Sequence, residues 1–330
     1  MTGVQTCALP ISAVVTFARL NCPRPSACAP ALQRAPSSAS KGSRKPRAGG
    51  AAWAVAGTSA IVEHGPRLDL KGEWSDFRWP LAGHDPAVRS PAAAFTLSGV
   101  LPYQVQLRGR GRAAELPEMT LEASGTLGKD GVTFEPAEVG LFEGHASVNG
   151  KVLWSPAESW SVSGRATGIN PAQLRADLPG SVNFAFAADG HGFDPHGELS
   201  VSFSDISGRL RGLAASGIGT LTHSGTTWGF SNVRVGLGTA TLALDGRVSE
   251  QLDLRFALSV HDLSLLAPQA QGELKASGAV SGTLAEPAIV ASAHGANFAW
   301  QGATLKALDA EINFNPAAST QESNIDARLR

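Results

Sequence analysis

The chain has 330 residues, and its 27 Lys and Arg against 28 Asp and Glu leave a formal net charge of −1. The first 62 residues hold seven of the cations and no acid, so the remainder carries 20 cations against 28 acids, a net charge near −8. An acidic body disfavours a nucleic-acid partner, which requires a basic face. No cysteine follows Cys28, which excludes a disulfide framework or a cysteine-ligated zinc site in that body.

The first 50 residues are expected to lie outside the fold. Residues 23–50 are rich in Pro, Ser, Ala and Arg and have no strand or helix period, which is typical of disorder. Residues 1–12 resemble a translated sequencing-library adapter, which indicates an assembly artefact; the alternative is a genuine secretory or transit segment. Residues 13–18 are too short and too weakly apolar to span a membrane. Since the last residues form an alternating pattern that stops without a turn, we interpret the chain as an internal fragment of a longer protein.

From Glu63 onward, apolar residues recur with a period of two, which predicts short half-buried strands separated by Gly, Pro, Asn or Asp. Helical signals are few. Asn170 before Pro171 predicts the start of a single helical turn, and Leu263–Pro268 predicts a second. In chain order, the alternating segments are Leu68–Leu70, Phe95–Gly99, Tyr103–Leu107, Met119–Ala123, Trp160–Val162, Val182–Phe186, Leu199–Phe203, Leu252–Val260, Ile312–Phe314 and Ile325–Leu329.

A repeat of about 94 residues organises the strands. Val139–Val152 matches Val235–Val248 without a gap, and flanking Gly and Pro residues match at slightly smaller offsets. Both copies end on Asn-Gly or Asp-Gly before a cation, and we expect Asn149-Gly150 and Asp245-Gly246 to form two-residue hairpin turns. The resulting division predicts a partial repeat, two full repeats and a truncated one, at residues 51–120, 120–212, 215–302 and 303–330.

Antiparallel strands joined by hairpins place all their apolar faces on one side of a sheet, and almost no helix is available to cover that side. The sheet must therefore close around a filled core, as a sandwich or solenoid, or curl into an elongated, taco-like groove whose interior stays apolar. In the second case the fold is all-β, a repetitive antiparallel β-groove with very little helix. The side chains predicted to line it are Val182, Phe184, Phe186, Leu199, Val201, Phe203, Leu252, Leu254, Phe256 and Leu258.

Motifs of enzymes and cofactor sites are missing from the sequence, which predicts no enzyme activity, no catalytic residues and no cofactor. Residues 189–196 carry two His and two Asp, but the matching positions 281–288 keep only the Gly and Pro, so turn geometry explains the segment better than a metal site. Trp74, Phe77 and Trp79 form a dense aromatic cluster, for which buried packing competes with a ligand platform.

The body from about residue 63 to the end resembles the TamB family, the inner-membrane subunit of the translocation and assembly module and part of the wider AsmA-like group. Three features carry the resemblance: the Gly-x-Trp-x-x-Phe-Arg-Trp-Pro-Leu run at Gly72–Leu81, the Gly-Ile-Asn-Pro-Ala-Gln-Leu element at Gly168–Leu174 followed by Leu178-Pro179-Gly180, and serial strands ending in Gly-Lys-Val or Gly-Arg-Val.

The resemblance implies the groove rather than the filled core. It implies a protein that is anchored in the inner membrane, spans the periplasm, moves phospholipid to the outer membrane and supports outer-membrane protein assembly. It also implies a TamA-like outer-membrane barrel as partner of the whole protein, reached through a domain other than this one, with these residues in the middle of the groove. The competing hypothesis is a secreted β-solenoid passenger or adhesin with a filled core and a binding or structural role.

Overall fold

The computed structural model describes residues 47–48, 51–79, 88–113, 116–192, 197–265, 269–300, 303–315 and 324–329. Within these ranges the chain is built almost entirely from strands, and its helical content is limited to two 3₁₀ turns, Pro171–Gln173 and Leu263–Leu265. The strands are β1 Arg47–Ala48, β2 Ala51–Val62, β3 Gly65–Trp79, β4 Val88–Gly99, β5 Tyr103–Ala113, β6 Met119–Leu127, β7 Gly131–Leu141, β8 Gly144–Leu153, β9 Ser159–Ile169, β10 Gly180–His191, β11 Glu198–Leu210, β12 Leu213–Ser224, β13 Thr227–Leu237, β14 Ala240–Val248, β15 Gln251–Val260, β16 Ala270–Thr283, β17 Pro287–Trp300, β18 Ala303–Phe314 and β19 Asn324–Leu329.

The strands belong to two compact units, divided inside β9. Unit 1 comprises Met1–Gly164 and His191–Phe193, and unit 2 comprises Arg165–Gly190 and Asp194–Arg330. From β2 to β8 in unit 1 and from β11 to β19 in unit 2, each strand pairs antiparallel with the next strand along the chain. Among the described residues of either unit, no pairing joins the first strand to the last, so neither unit is a closed barrel. The prediction of an all-β, antiparallel, open sheet with very little helix is confirmed.

The two copies of the strongest repeat occupy equivalent hairpins, β7–β8 and β13–β14. The expected turns are wrong, however. Asn149-Gly150 lies inside β8 and Asp245-Gly246 inside β14, whereas the chain reverses at Phe142-Glu143, with φ of 49° and 66°, and at Gly238-Thr239. The Asp-Gly pair instead faces a bulge in β13, where Asp245 Oδ1 accepts a hydrogen bond from the Asn232 backbone N–H over 2.6 Å.

Bulges keep large apolar residues on one face of the sheet where strict alternation fails. Three of them contain an Asp or Asn with φ between 51° and 53°, the left-handed region that these two residues tolerate best. Each is followed by a large apolar residue that joins the same face as the apolar residues before the bulge. The three pairs are Asp205-Ile206, Asn232-Val233 and Asn297-Phe298. Asp76 has a similar φ of 54° before the buried Phe77, although β3 and β4 stay in register there.

The largest fully buried side chains of the described residues, Val152 and Val260, each lie in a small cluster at the end of a strand. In unit 1, Val132 and Val152 pack beneath Trp154 and Trp160. In unit 2, Val260 and Leu263 pack with Ala240 and Ala270, so the second 3₁₀ turn covers one end of the apolar face. Both turns lie where the sequence predicted them; at the first, Asn170 Oδ1 accepts a hydrogen bond from the Ala172 N–H over 3.1 Å. The repeat bounds stay predictions, and the proposed leader lies almost entirely outside the described residues.

Candidate functional site

Unit 1 has a continuous apolar face, because directly paired residues on neighbouring strands project their side chains to the same side of a sheet. The first apolar row comprises Trp53, Trp74, Ala93, Gly109, Leu121, Val139 and Ala146. The next row on the same face comprises Val55, Gly72, Phe95, Leu107, Ala123, Ala137 and Val148. Each row crosses seven consecutive strands, β2 to β8, without a charged residue.

The opposite face of unit 1 is polar. The row between the two apolar rows comprises Ala54, Glu73, Ala94, Arg108, Glu122, Glu138 and Ser147. Arg108 forms an exposed ion pair with Glu122, and this hydrogen-bonded partner raises the pKa of the arginine. The two faces therefore differ in polarity, because successive residues along each strand point to opposite sides of the sheet.

The first apolar row, except Ala146, lines a concavity of about 900 Å³. Its lining also includes charged residues of the neighbouring row, namely Glu73, Arg108, Glu122 and Glu138. Trp53 and Trp74 form its aromatic side and lie 5.5 Å apart between ring centres, and Phe95 of the second row lies 6.3 Å from Trp74. The indole N–H of Trp74 donates to Ser90 Oγ over 3.0 Å, so the polar atom of this ring is satisfied within the face. Phe77 is buried against the two tryptophans. Of the three residues in the predicted aromatic cluster, Phe77 is therefore part of the buried packing, whereas Trp74 stays half-exposed beside the concavity. The side chain of Trp79 lies outside the described residues.

Unit 2 repeats this arrangement. One apolar row comprises Ile206, Gly217, Val235, Leu242, Leu258, Ala276, Ala293 and Ala310, and another comprises Val233, Leu244, Phe256, Gly278, Ala291 and Ile312. The part of the first row from Ile206 to Ala276 lines a concavity of about 790 Å³, whose lining also includes the polar side chains of Asp205, Arg234, Lys275 and His294. Val235 is the repeat partner of Val139, which lines the concavity of unit 1, so equivalent levels of the repeat are concave in both units.

The structure places the ten predicted lining residues on the apolar face of unit 2. Leu199 and Leu252 share one row, and Val201 and Leu254 share another. Phe184 contacts Phe203 and Phe186, with ring centres 5.7 and 6.1 Å apart. Val182 is buried, whereas the other nine are half-buried. Contact of these residues with a ligand stays a prediction.

The predicted lining residues do not include several residues of the face. None of the ten lies in unit 1, although Phe95, Leu107 and Leu121 belong to segments that the sequence predicts as half-buried strands. In unit 2 the prediction leaves out Ile206, Val235 and Leu242. Val235 and Leu242 are 45% and 39% exposed, although they project from the apolar side of the sheet. The available signal was an Asp or Asn directly before an apolar residue, which marks a change of phase in the alternation. A filled core would leave these side chains inaccessible, so the face of unit 2 is open.

Polar chemistry is concentrated away from this face. Among the described residues, no group of three or more His, Cys, Asp or Glu side chains is arranged to hold a metal ion, and part of the 189–196 segment lies outside them. An exposed His294–Asp309 pair, 2.9 Å apart, lies on the polar side. Hydrogen bonding from Arg175 lowers the pKa of the Asp177 carboxyl in the loop before β10, and hydrogen bonding from Ser264 lowers that of Asp262.

The described residues contain no helix that is long and apolar enough to cross a membrane. No solved structure matches the chain significantly. The family model described as TamB, N-terminal domain, matches residues 48–330. This match covers both units. The matched model describes the N-terminal domain of the family, whereas the sequence analysis expected the middle of the groove. The model matches nearly the whole described chain, which forms an open antiparallel sheet with one apolar face, and the chain therefore belongs to the TamB family.

Proposed function

We propose that this chain is a segment of a periplasmic lipid conduit, in which phospholipid moves between the inner and outer membranes with its acyl chains against the apolar face. The observation that carries the proposal is that face itself: uncharged rows cross consecutive strands in each unit and remain partly exposed. The role is non-enzymatic. In the whole protein, the inner-membrane anchor and the TamA-type partner are engaged through other residues, and lipid passage supports outer-membrane protein assembly.

The energetic role of such a face follows from the cost of exposing lipid to water. Each CH₂ group contributes about 0.8 kcal/mol, so two acyl chains oppose passage by a total on the order of 20 kcal/mol. Strands lie about 4.8 Å apart, so the seven strands β2 to β8 provide a row of about 29 Å. That distance exceeds the roughly 15 Å depth of one hydrocarbon leaflet. A whole acyl chain can therefore be shielded within one unit.

Movement requires that no position binds too tightly. The apolar rows are composed of aliphatic, aromatic and glycine residues with small steps between neighbours, and they contain no charged group that would hold a lipid at one place. Each contact contributes little, and the next strand offers a similar one. Such a surface lowers the free-energy cost of exposing acyl chains to water along its whole length rather than at one site.

The β-solenoid hypothesis fits these observations less well. Coils of a solenoid stack around a filled core, whereas here consecutive strands pair antiparallel and the inward-facing side chains of unit 2 stay accessible. No observation in the described residues favours it over the conduit.

The direct test is native mass spectrometry with lipid extraction on the chain produced in a bacterial periplasm. The unaltered chain is expected to carry phospholipid. Phe184→Asp with Phe256→Asp places two carboxylates on the apolar face and is expected to remove most of the lipid while the β-sheet circular dichroism persists. Val290→Asp is the matched control, because Val290 is 60% exposed and lies on the polar face in register with Arg255 and Ala279. A folded chain without lipid, or equal loss in the control, would contradict the proposal.

A further inference from the structure

Three arginines stand in adjacent register on the polar face of unit 1. Arg78 on β3 pairs directly with Arg89 on β4, and Arg89 pairs directly with Arg112 on β5. All three are exposed. Like charges in direct cross-strand register destabilise a sheet, so this arginine row is an arrangement that strand pairing alone would not favour. Its side chains are suited to a ligand that supplies the missing negative charge.

Nearby acids neutralise the row only in part. Asp76 pairs with Arg78 at 3.1 Å, and Glu118 pairs with the neighbouring Arg110 at 3.5 Å. Arg112 uses its Nε–H to donate to the Leu116 carbonyl over 3.0 Å. In the part of the chain that the structure describes, no ion pair involves Arg89 or Arg112. Counted over these described residues alone, the four arginines and two acids leave a local charge of about +2.

The arginine row borders the apolar face. Phe77 and Ser90, which precede Arg78 and follow Arg89, are both buried on the apolar side beside Trp74. The arginines project from the opposite face, but each lies one residue from the end of its strand, where the two faces of the sheet meet at an edge. The opposite strand ends of unit 1 differ, since the corresponding polar row is nearly neutral. That row comprises Thr58, Asp69, Ser98, Gln104, Thr126, Thr133 and Lys151.

We infer that the arginine row binds the phosphate of an anionic phospholipid headgroup while the acyl chains of the same lipid lie on the apolar face of unit 1. This inference rests on the proposed conduit and adds a preference for lipid class at one edge of it. Guanidinium groups donate paired N–H bonds that match phosphate oxygens, and a net positive edge favours a headgroup of net negative charge over a zwitterionic one. Passage along the apolar face itself needs no such preference.

The experiment measures which lipids remain on the full chain after incubation with mixed vesicles of phosphatidylglycerol and phosphatidylethanolamine. The unaltered chain is expected to be enriched in phosphatidylglycerol. Arg89→Gln with Arg112→Gln is expected to lower the ratio of the two bound lipids roughly tenfold, because each basic residue near an anionic surface contributes appreciably to attraction. Arg67→Gln with Lys151→Gln is the matched control, since it removes the same charge from the opposite strand ends of unit 1 and is expected to leave the ratio unchanged.

A second arm separates a lipid headgroup from free phosphate. Inorganic phosphate is added against sodium chloride of equal ionic strength, and the enrichment in phosphatidylglycerol is expected to persist, because the tails hold the headgroup at the row. Loss of the enrichment with phosphate alone would assign the row to free phosphate and overturn the inference. An unchanged ratio in the Arg89/Arg112 variant, or an equal fall in the control, would overturn it while leaving the conduit intact. A chain without any bound lipid would overturn both.

Discussion

Leu242 and Val260 lie on the same apolar face of unit 2 but differ in burial, and alanine substitutions at the two positions measure how far that face is packed. Leu242 is 39% exposed beside the unit 2 concavity, whereas Val260 is 1% exposed in the cluster beneath the second 3₁₀ turn. If the face is open, the smaller side chain should be the more costly one to shorten.

The expected free energies follow from these exposures. Leu→Ala removes three carbon groups, about 2.4 kcal/mol when fully buried. With 39% of Leu242 already in solvent and no enclosed cavity left behind, the cost falls to about 1.5 kcal/mol. Val260→Ala removes two groups, about 1.6 kcal/mol, and adds a cavity term, for a total of about 2 to 3 kcal/mol. In a filled core, Leu242→Ala would cost about 2.7 to 5 kcal/mol.

The assay is urea unfolding of delipidated chains, followed by far-ultraviolet circular dichroism, with midpoints compared at equal slope. Val260→Ala is expected to lower the free energy of unfolding more than Leu242→Ala does. The reverse order, with Leu242→Ala costing 3 kcal/mol or so, would mean that the face is packed against something and would refute the open sheet.

Three further predictions address the bulge, the path and the charged loop. Asn232→Val places a β-branched residue at φ 51° and is expected to cost about 1 to 2 kcal/mol in thermal unfolding, whereas Asn232→Gly should be nearly neutral; equal effects would show that the left-handed backbone is not what selects Asn. Ala276→Trp adds bulk to the apolar row and should reduce bound lipid in native mass spectra, whereas Ala279→Trp on the polar face should not; equal lipid retention would argue against a path over that row. Arg175→Gln removes the main cause of the lowered Asp177 pKa, so that pKa should rise toward 3.8 in an NMR titration. Because a depressed carboxyl pKa stabilises the fold above the unfolded value and loses this effect as pH falls through the folded value, the variant should lose less stability on acidification below about pH 4.

Much of the architecture was predictable because its signals are local. The period of two in Leu252–Val260 requires only that one side of β15 be apolar, and the structure places that segment as a strand with its leucines and Phe256 on one face. Asn170 before Pro171 likewise predicts a turn from the properties of two residues. Family membership was also predictable, since the aromatic run and the Asn-Pro element carry it without any knowledge of pairing.

The turn positions were not predictable from dipeptides alone. Asn-Gly and Asp-Gly are typical of tight hairpins, but a glycine is also needed where a strand approaches its neighbour closely. A Cβ on Gly246 would lie 2.0 Å from the Asp253 carbonyl oxygen and 2.8 Å from the Leu254 Cα, and the φ of +131° is one that side chains rarely adopt. The chain instead reverses at Gly238, directly before β14 begins.

No residue of the apolar face of unit 1 was predicted to line the groove, for a related reason. Its rows mix large residues with Gly72, Ala93 and Gly109, so the alternation is weak along any one strand and emerges only when strands are paired. The left-handed backbone at Asp76 also shifts the phase within β3, so that Phe77 packs beside Trp74. The arginine row is invisible in the same way, since Arg78, Arg89 and Arg112 become neighbours only through register.

Photo-crosslinking in the periplasm tests the central claim most directly. A benzophenone amino acid placed at Leu254 or Phe95 lies on the apolar face, and one placed at Arg255 or Thr96 lies on the polar face of the same strand. Illumination is expected to attach phospholipid at Leu254 and Phe95 and not at Arg255 or Thr96. Equal labelling on both faces, or none at Leu254 and Phe95 in a folded chain, would contradict a lipid path over the apolar face.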